Sequence, residues 1–236
     1  MSTTFSIEGV GNIASHDFYP PIELPSAKQY VIGVVGFYGC NSIRNIHEGN
    51  DKFHYKDASN SVDTKAIAIP HGTYELEELS AYIKAHIPTR KFSLRANNNT
   101  LKCELSCEFA IDFTEKDSIG RMLGFESQIL EANGEHTSDL DIQIVKHTNI
   151  HIECNLVRGS YRNGTPAKVL YEVDVSVPPG YRLDKTPSYP QYLELNTHTI
   201  SNITIKLTNQ KGELIDFGEN EPFTVRLELK EHGIKN

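Results

Sequence analysis

Residues 199–230 constrain the fold more than any other stretch of this chain. Ile203, Ile205 and Leu207 alternate with Thr204, Lys206 and Thr208, while Phe223, Val225, Leu227 and Leu229 alternate with Thr224, Arg226, Glu228 and Lys230. Successive strand residues point to opposite faces, so each run carries one apolar face and one wet face. Between the runs, Asn209-Gln210-Lys211-Gly212 precedes Leu214-Ile215-Asp216-Phe217, with Gly212 placed to supply the positive φ of a short turn. The pattern predicts a hairpin, a corner at Gly218 and Pro222, and a closing antiparallel sheet. Such a sheet needs a second layer from upstream residues, because an isolated hairpin is not stable.

The rest of the chain is rich enough in strands to supply that layer. At 236 residues it can bury a substantial core, and 16 Gly with 11 Pro punctuate it at short intervals. Residues 28–39 form an apolar run suited to a central strand buried on both faces. Further strands are expected over 52–55, 64–70, 92–96, 101–113, 140–145, 150–157, 168–177 and 191–196. One helix is predicted after residue 73: Thr73 caps it, Glu75, Glu77 and Glu78 favour its positive end, and Leu76, Leu79, Tyr82, Ile83 and Ile87 form its apolar stripe. A second short helical turn is expected within 118–125, ending at Gly124.

These elements predict an all-β chain, an antiparallel jelly-roll sandwich with one or two short helices. Two tandem compact β domains are the alternative arrangement. Residues 1–27 read as an irregular N-terminal arm, because Pro20, Pro21 and Pro25 oppose regular pairing. Residues 28–236 form the jelly-roll region, with possible halves 28–125 and 140–236 joined by a loop over 126–139.

Charge and motif content narrow the chemistry. A formal net charge of −8 opposes a role in binding a specific nucleic acid, which relies on clustered Lys and Arg. No apolar run is long enough to span a bilayer as a helix, and residues 1–5 lack the charged and apolar regions of a secretion signal, so the chain is expected to act inside the cell that makes it. There is no GxSxG elbow, no GxxxxGK[ST] loop and no HExxH pair, and no catalytic residue, cofactor or metal is assigned. Cys103 and Cys107 lie four apart on one strand face, about 13 Å from each other, which is too far to chelate one ion. His147 and His151 with Glu153 are the nearest metal-like group, but a ligand from another strand would be needed; solvent-facing polar residues are the plainer reading.

The remaining signals point to contacts. Phe5, Phe18 and Tyr19 on the arm, and Tyr161, Arg162, Tyr181, Arg182 and Tyr189 beside Gly and Pro, are the candidate oligomer or capsid contact residues. Aromatic and basic loop residues also suit stacking on sugars or bases.

Several segments add a family resemblance. IPHGTYELEELSAYI (69–83), NNNTLKCEL (97–105), SIGRMLGF (118–125), IHIECNLVRGSYRNG (150–164), VPPGYRLDKTP (177–187), ITIKLTNQKGELIDF (203–217) and FTVRLELK (223–230) resemble the minor capsid, penton-type proteins of polintons (Mavericks) and adintoviruses. The resemblance implies a jelly-roll virion protein that forms homo-oligomers, pentameric at icosahedral vertices, beside a major capsid protein of the same element. It implies no enzyme activity and no membrane partner, and it places the protein in the virion capsid. The other classes kept open are a β-sandwich attachment or glycan-binding module and a cupin-like metalloenzyme using His147 and His151.

Overall fold

The computed structural model describes residues 2–56, 63–88, 90–144, 149–218 and 220–233. The chain begins with β1 (Ser2–Val10), β2 (Ile13–Glu23) and β3 (Tyr30–Cys40). A middle stretch follows with β4 (Lys52–Lys56), β5 (Lys65–Ala68), α1 (Leu76–His86), β6 (Phe92–Asn97), β7 (Lys102–Cys107), β8 (Ala110–Asp112), a 3-10 turn (Ile119–Arg121), β9 (Ile129–Leu130) and β10 (Gly134–Asp141). The chain then returns through β11 (Asn149–Cys154), β12 (Ser160–Arg162), β13 (Thr165–Ala167), β14 (Val169–Asp174), β15 (Arg182–Lys185), β16 (Tyr192–Glu194), β17 (Thr199–Thr208) and β18 (Pro222–Glu231). Every pairing between these strands is antiparallel, in a jelly-roll arrangement with one α-helix and one 3-10 turn among the described residues.

Two compact units result: Met1–Ile43 with His147–Asn236, and Arg44–Lys146. The first unit holds a nine-stranded sheet in the order β14-β11-β17-β2-β1-β18-β3-β15, with β16 also on β3. Its core takes the inward residues of alternating strands, among them Ile7, Val34, Ile152, Ile205, Val225 and Leu227, all nearly solvent-free. β3 lies between β18 on one side and β15 with β16 on the other, as its apolar run requires.

The strands β17 and β18 do not pair with each other, contrary to the expectation of one continuous closing sheet. Gly212 does make the turn, with φ +87°, but the return through residues 214–217 forms only a bridge between Thr208 and Leu214. Asn12 explains the divergence: its carbonyl accepts from Leu207 N at 2.9 Å, and its side-chain amide donates to Ile215 O at 3.0 Å. The β1–β2 hairpin therefore occupies the place between β17 and β18.

The segment expected to be an arm is thus two strands inside the sheet. Ser2 to Val10 pair residue for residue with β18, and Phe5 and Ile7 alternate into the core. The prolines are accommodated by a bulge: Asp17 pairs with Asn202 and Ile22 with Ile200, so residues 18–21 stand opposite Ser201 alone. Pro20 and Pro21 consequently omit no ladder bond. Gly9 is also required here, because a Cβ would fall 2.6 Å from Ala14 Cβ and 2.7 Å from the Phe223 ring.

The second unit is built on α1, a three-stranded sheet in the order β10-β7-β6 and a four-stranded sheet in the order β5-β4-β8-β9. Its core is aromatic: Phe53 meets Phe92 edge-on at 5.5 Å, and Phe113 stacks on Phe125 at 5.1 Å. Leu76, Leu79, Ile83 and Ile87 are buried as the helical periodicity requires. The cap is Glu75 rather than Thr73; Glu75 and Glu78 form a reciprocal capping box. Residues 126–139 do not form a joining loop, since Gly134 to Thr137 pair with Cys107 to Glu104 of β7.

Candidate assembly surface

The eight candidate contact residues separate into exposed and committed groups. Tyr19 is fully exposed, because the bulge in β2 pushes it out of the ladder. Tyr189 is 91% exposed, and Tyr161 and Tyr181 are largely exposed. Arg182 is also open, with Nη2 3.1 Å from Asp184 Oδ2. Phe5, by contrast, is buried and meets half-buried Phe18 edge-on at 5.7 Å, so Phe5 serves the core of its own unit.

Arg162 is committed as well. It ends β12, and the Asn163-Gly164 turn, both residues at positive φ, folds the chain back into β13. Its Nη2 donates to Glu153 Oε1 at 2.5 Å and lies 3.3 Å from both His151 Nδ1 and Thr208 Oγ1. Thr208 Oγ1 also donates to Glu153 Oε1 at 2.9 Å. This network ties the β12–β13 hairpin to β11 and β17. At Gly212 a Cβ would lie 2.3 Å from Arg162 Nη1, so a side chain there would displace the guanidinium from this network.

The same network corrects the reading of β11 as solvent-facing at its polar residues. His151 is buried beneath the hairpin, with Nε2 3.6 Å from Glu172 Oε1. Burial lowers its pKa most; Glu172 opposes that shift, Arg162 adds to it, and Glu153 opposes it again. An imidazole nitrogen that accepts from a guanidinium must be unprotonated, so His151 is neutral and its Nε2–H faces Glu172. His147 lies outside the described residues. Among the described residues no group of three or more His, Cys, Asp or Glu side chains is placed to hold a metal ion. Cys103 and Cys107 are unpaired, buried thiols, pushed up to about 12 and about 11 by burial.

The exposed residues lie on separate elements. Tyr19 stands at the β2 bulge, Tyr161 on β12, and Tyr181 precedes Arg182, which pairs with Cys40 of β3. A further exposed apolar group sits at the β1–β2 turn: Val10 and Ile13 pair with each other, and Leu214 lies beyond the Asn12 contacts. Gly11-Asn12 between two alternating runs was the available sequence signal for that turn. Among the described residues no helix is long and apolar enough to cross a membrane.

No protein-family model matches the chain, and no curated protein matches it in sequence. Among solved structures, the crystal structure of the mavirus penton protein superposes with a TM-score of 0.51. The two chains share a fold. The likeness covers 98% of this chain and 100% of that one at 10% sequence identity.

Proposed function

We propose that this chain is a structural virion protein, a penton-type minor capsid protein whose copies assemble into pentameric vertex capsomers beside a major capsid protein. The observation that carries the reading is the shared architecture with the mavirus penton protein over nearly the whole length of both chains. The exposed aromatics Tyr19, Tyr161, Tyr181 and Tyr189 support it, since aromatic residues concentrate at protein interfaces. A closed ring would use two complementary patches per copy, and these tyrosines are spread over separate elements. The role is structural rather than enzymatic, and its place is the virion shell.

Electron microscopy of the purified protein, with light scattering across a concentration series, tests the reading. Five-fold rings are expected. A protein that remains monomeric at all concentrations and fails to join assemblies of its major capsid protein would overturn it.

A further inference from the structure

Two edge strands of the nine-stranded sheet, β14 and β16, line one groove. β14 ends the sheet on one side; on the other, β15 and β16 both pair with β3. Val169 to Glu172 of β14 and Leu193 of β16 line a common groove of about 460 Å³, walled at one end by Ser160 and Tyr161. The groove is pinched shut where Val157 bridges Leu195 and Arg158 N donates to Glu194 O at 3.1 Å.

Alternation shows which backbone groups remain to be paired. Asn155 N donates to Thr204 O, so Asn155, Glu153 and His151 direct their N–H and C=O groups towards β17, and Ile152 and Ile150 direct theirs towards β14. Tyr171 and Val173, opposite Ile152 and Ile150, therefore bond inwards, and Glu172 directs its N–H and C=O outwards. On the other wall, Glu194 O points away from β3 to Arg158, so Tyr192, two residues earlier, points the same way. Ser160 Oγ, on the groove wall, is buried and has no hydrogen-bond partner among the described residues.

We infer that this groove is a β-augmentation site that receives an extended segment of another protein, with small apolar side chains alternating with Lys or Arg. The backbone of Glu172 and Tyr192 supplies the ladder bonds, and half-buried Tyr171 and Leu193 supply apolar contacts. The Glu172 carboxylate, 58% exposed at the mouth, selects the basic residues.

Amide exchange on the intact protein tests this, with a capped octapeptide of alternating Val and Lys as probe and its Val-Glu counterpart as control. The Val-Lys peptide is expected to slow exchange at the Glu172 and Tyr192 amides at least tenfold. The amides of Tyr171 and Leu193, already paired, should not change. Glu172→Gln should weaken binding about threefold, the scale of one exposed ion pair, and Glu172→Lys should reverse the preference between the two peptides. Unchanged exchange at Glu172 and Tyr192 up to millimolar peptide would overturn the inference. So would protection that appears with protein concentration alone, which would give the groove to a second copy. Ring formation without peptide binding would sink this inference while leaving the capsid role standing.

Discussion

The two units solve the same burial problem with opposite connectivity. The first draws β1, β2 and β3 from one end of the chain and β11 to β18 from the other. The second is folded from one contiguous run, and its largest core side chains are stacked and edge-on phenylalanines. Long-range pairing must bear loop-closure entropy before it gains contacts, so the first unit depends on sequence-distant partners and the second on near ones. Stability lost in one unit need not be lost in the other.

Core substitutions give the largest test of that contrast. Val225 is fully buried in β18, and Val225→Asp should cost more than about 4 kcal/mol, because a carboxylate would be buried without a partner. The expected result is loss of soluble, folded protein; a mutant with unchanged melting would show that β18 is not an internal strand. Phe53→Ala in the second unit should cost about 3–5 kcal/mol. Its amide exchange should accelerate in β4 to β8 while β1 and β18 stay protected. Uniform acceleration would make the two units one cooperative block and end the comparison.

Close-packed glycines come next. Gly9→Ala places a methyl against Ala14 and the Phe223 ring, and Gly120→Ala places one 2.6 Å from the Phe113 ring. Each should lower stability by about 1–3 kcal/mol in chemical denaturation. A neutral Gly9→Ala would show that β1 can shift on β18.

Acid should separate the units by pH. His151 has its pKa lowered below 6.5, chiefly by burial, so the unfolded chain takes up its proton first. The first unit should therefore begin to lose stability as pH falls below 6.5. In the second unit, burial raises the pKa of Asp112, but hydrogen bonds from Lys56 and Thr114 outweigh it and bring the pKa below 3.8. That contribution is complete above 3.8 and is lost only as pH falls through the lower, folded-state pKa. Thermal melts from pH 8 to pH 3 should show early loss in the first unit, and His151→Gln should remove it. Simultaneous loss of both units near pH 4 would contradict this order.

The smallest effect on stability should come from Tyr189→Ser, within about 0.5 kcal/mol, because the side chain is 91% exposed. Its value lies in assembly: a ring population that falls while melting is unchanged would place Tyr189 in an interface.

The sequence was most readable where burial and periodicity coincide. β3, β17, β18 and the apolar stripe of α1 follow directly from residue spacing, and the exposure of Tyr181 and Tyr189 follows from their neighbouring glycine and prolines. Alternation identifies the face of a strand but not its neighbour, so nothing local showed that β17 and β18 stand apart. Pro20 and Pro21 concealed β2, because the bulge that accommodates them depends on Ser201, far away in the chain. Phe5 and Arg162 went unrecognised as internal residues for the same reason: their partners, Phe18 across a turn and Glu153 on another strand, are set by tertiary pairing.

The position of the β1–β2 hairpin also sets a timetable for synthesis. Residues 2–23 are made before both of their neighbours in the sheet, β17 and β18. The hairpin must wait for its flanking strands while the residues between β2 and β17 are made. A prematurely terminated chain lacks one or both of its flanking strands and cannot complete the sheet, so a closed sheet reports that translation has reached residue 231. Any assembly restricted to closed protomers would thereby exclude truncated copies without a separate proofreading step.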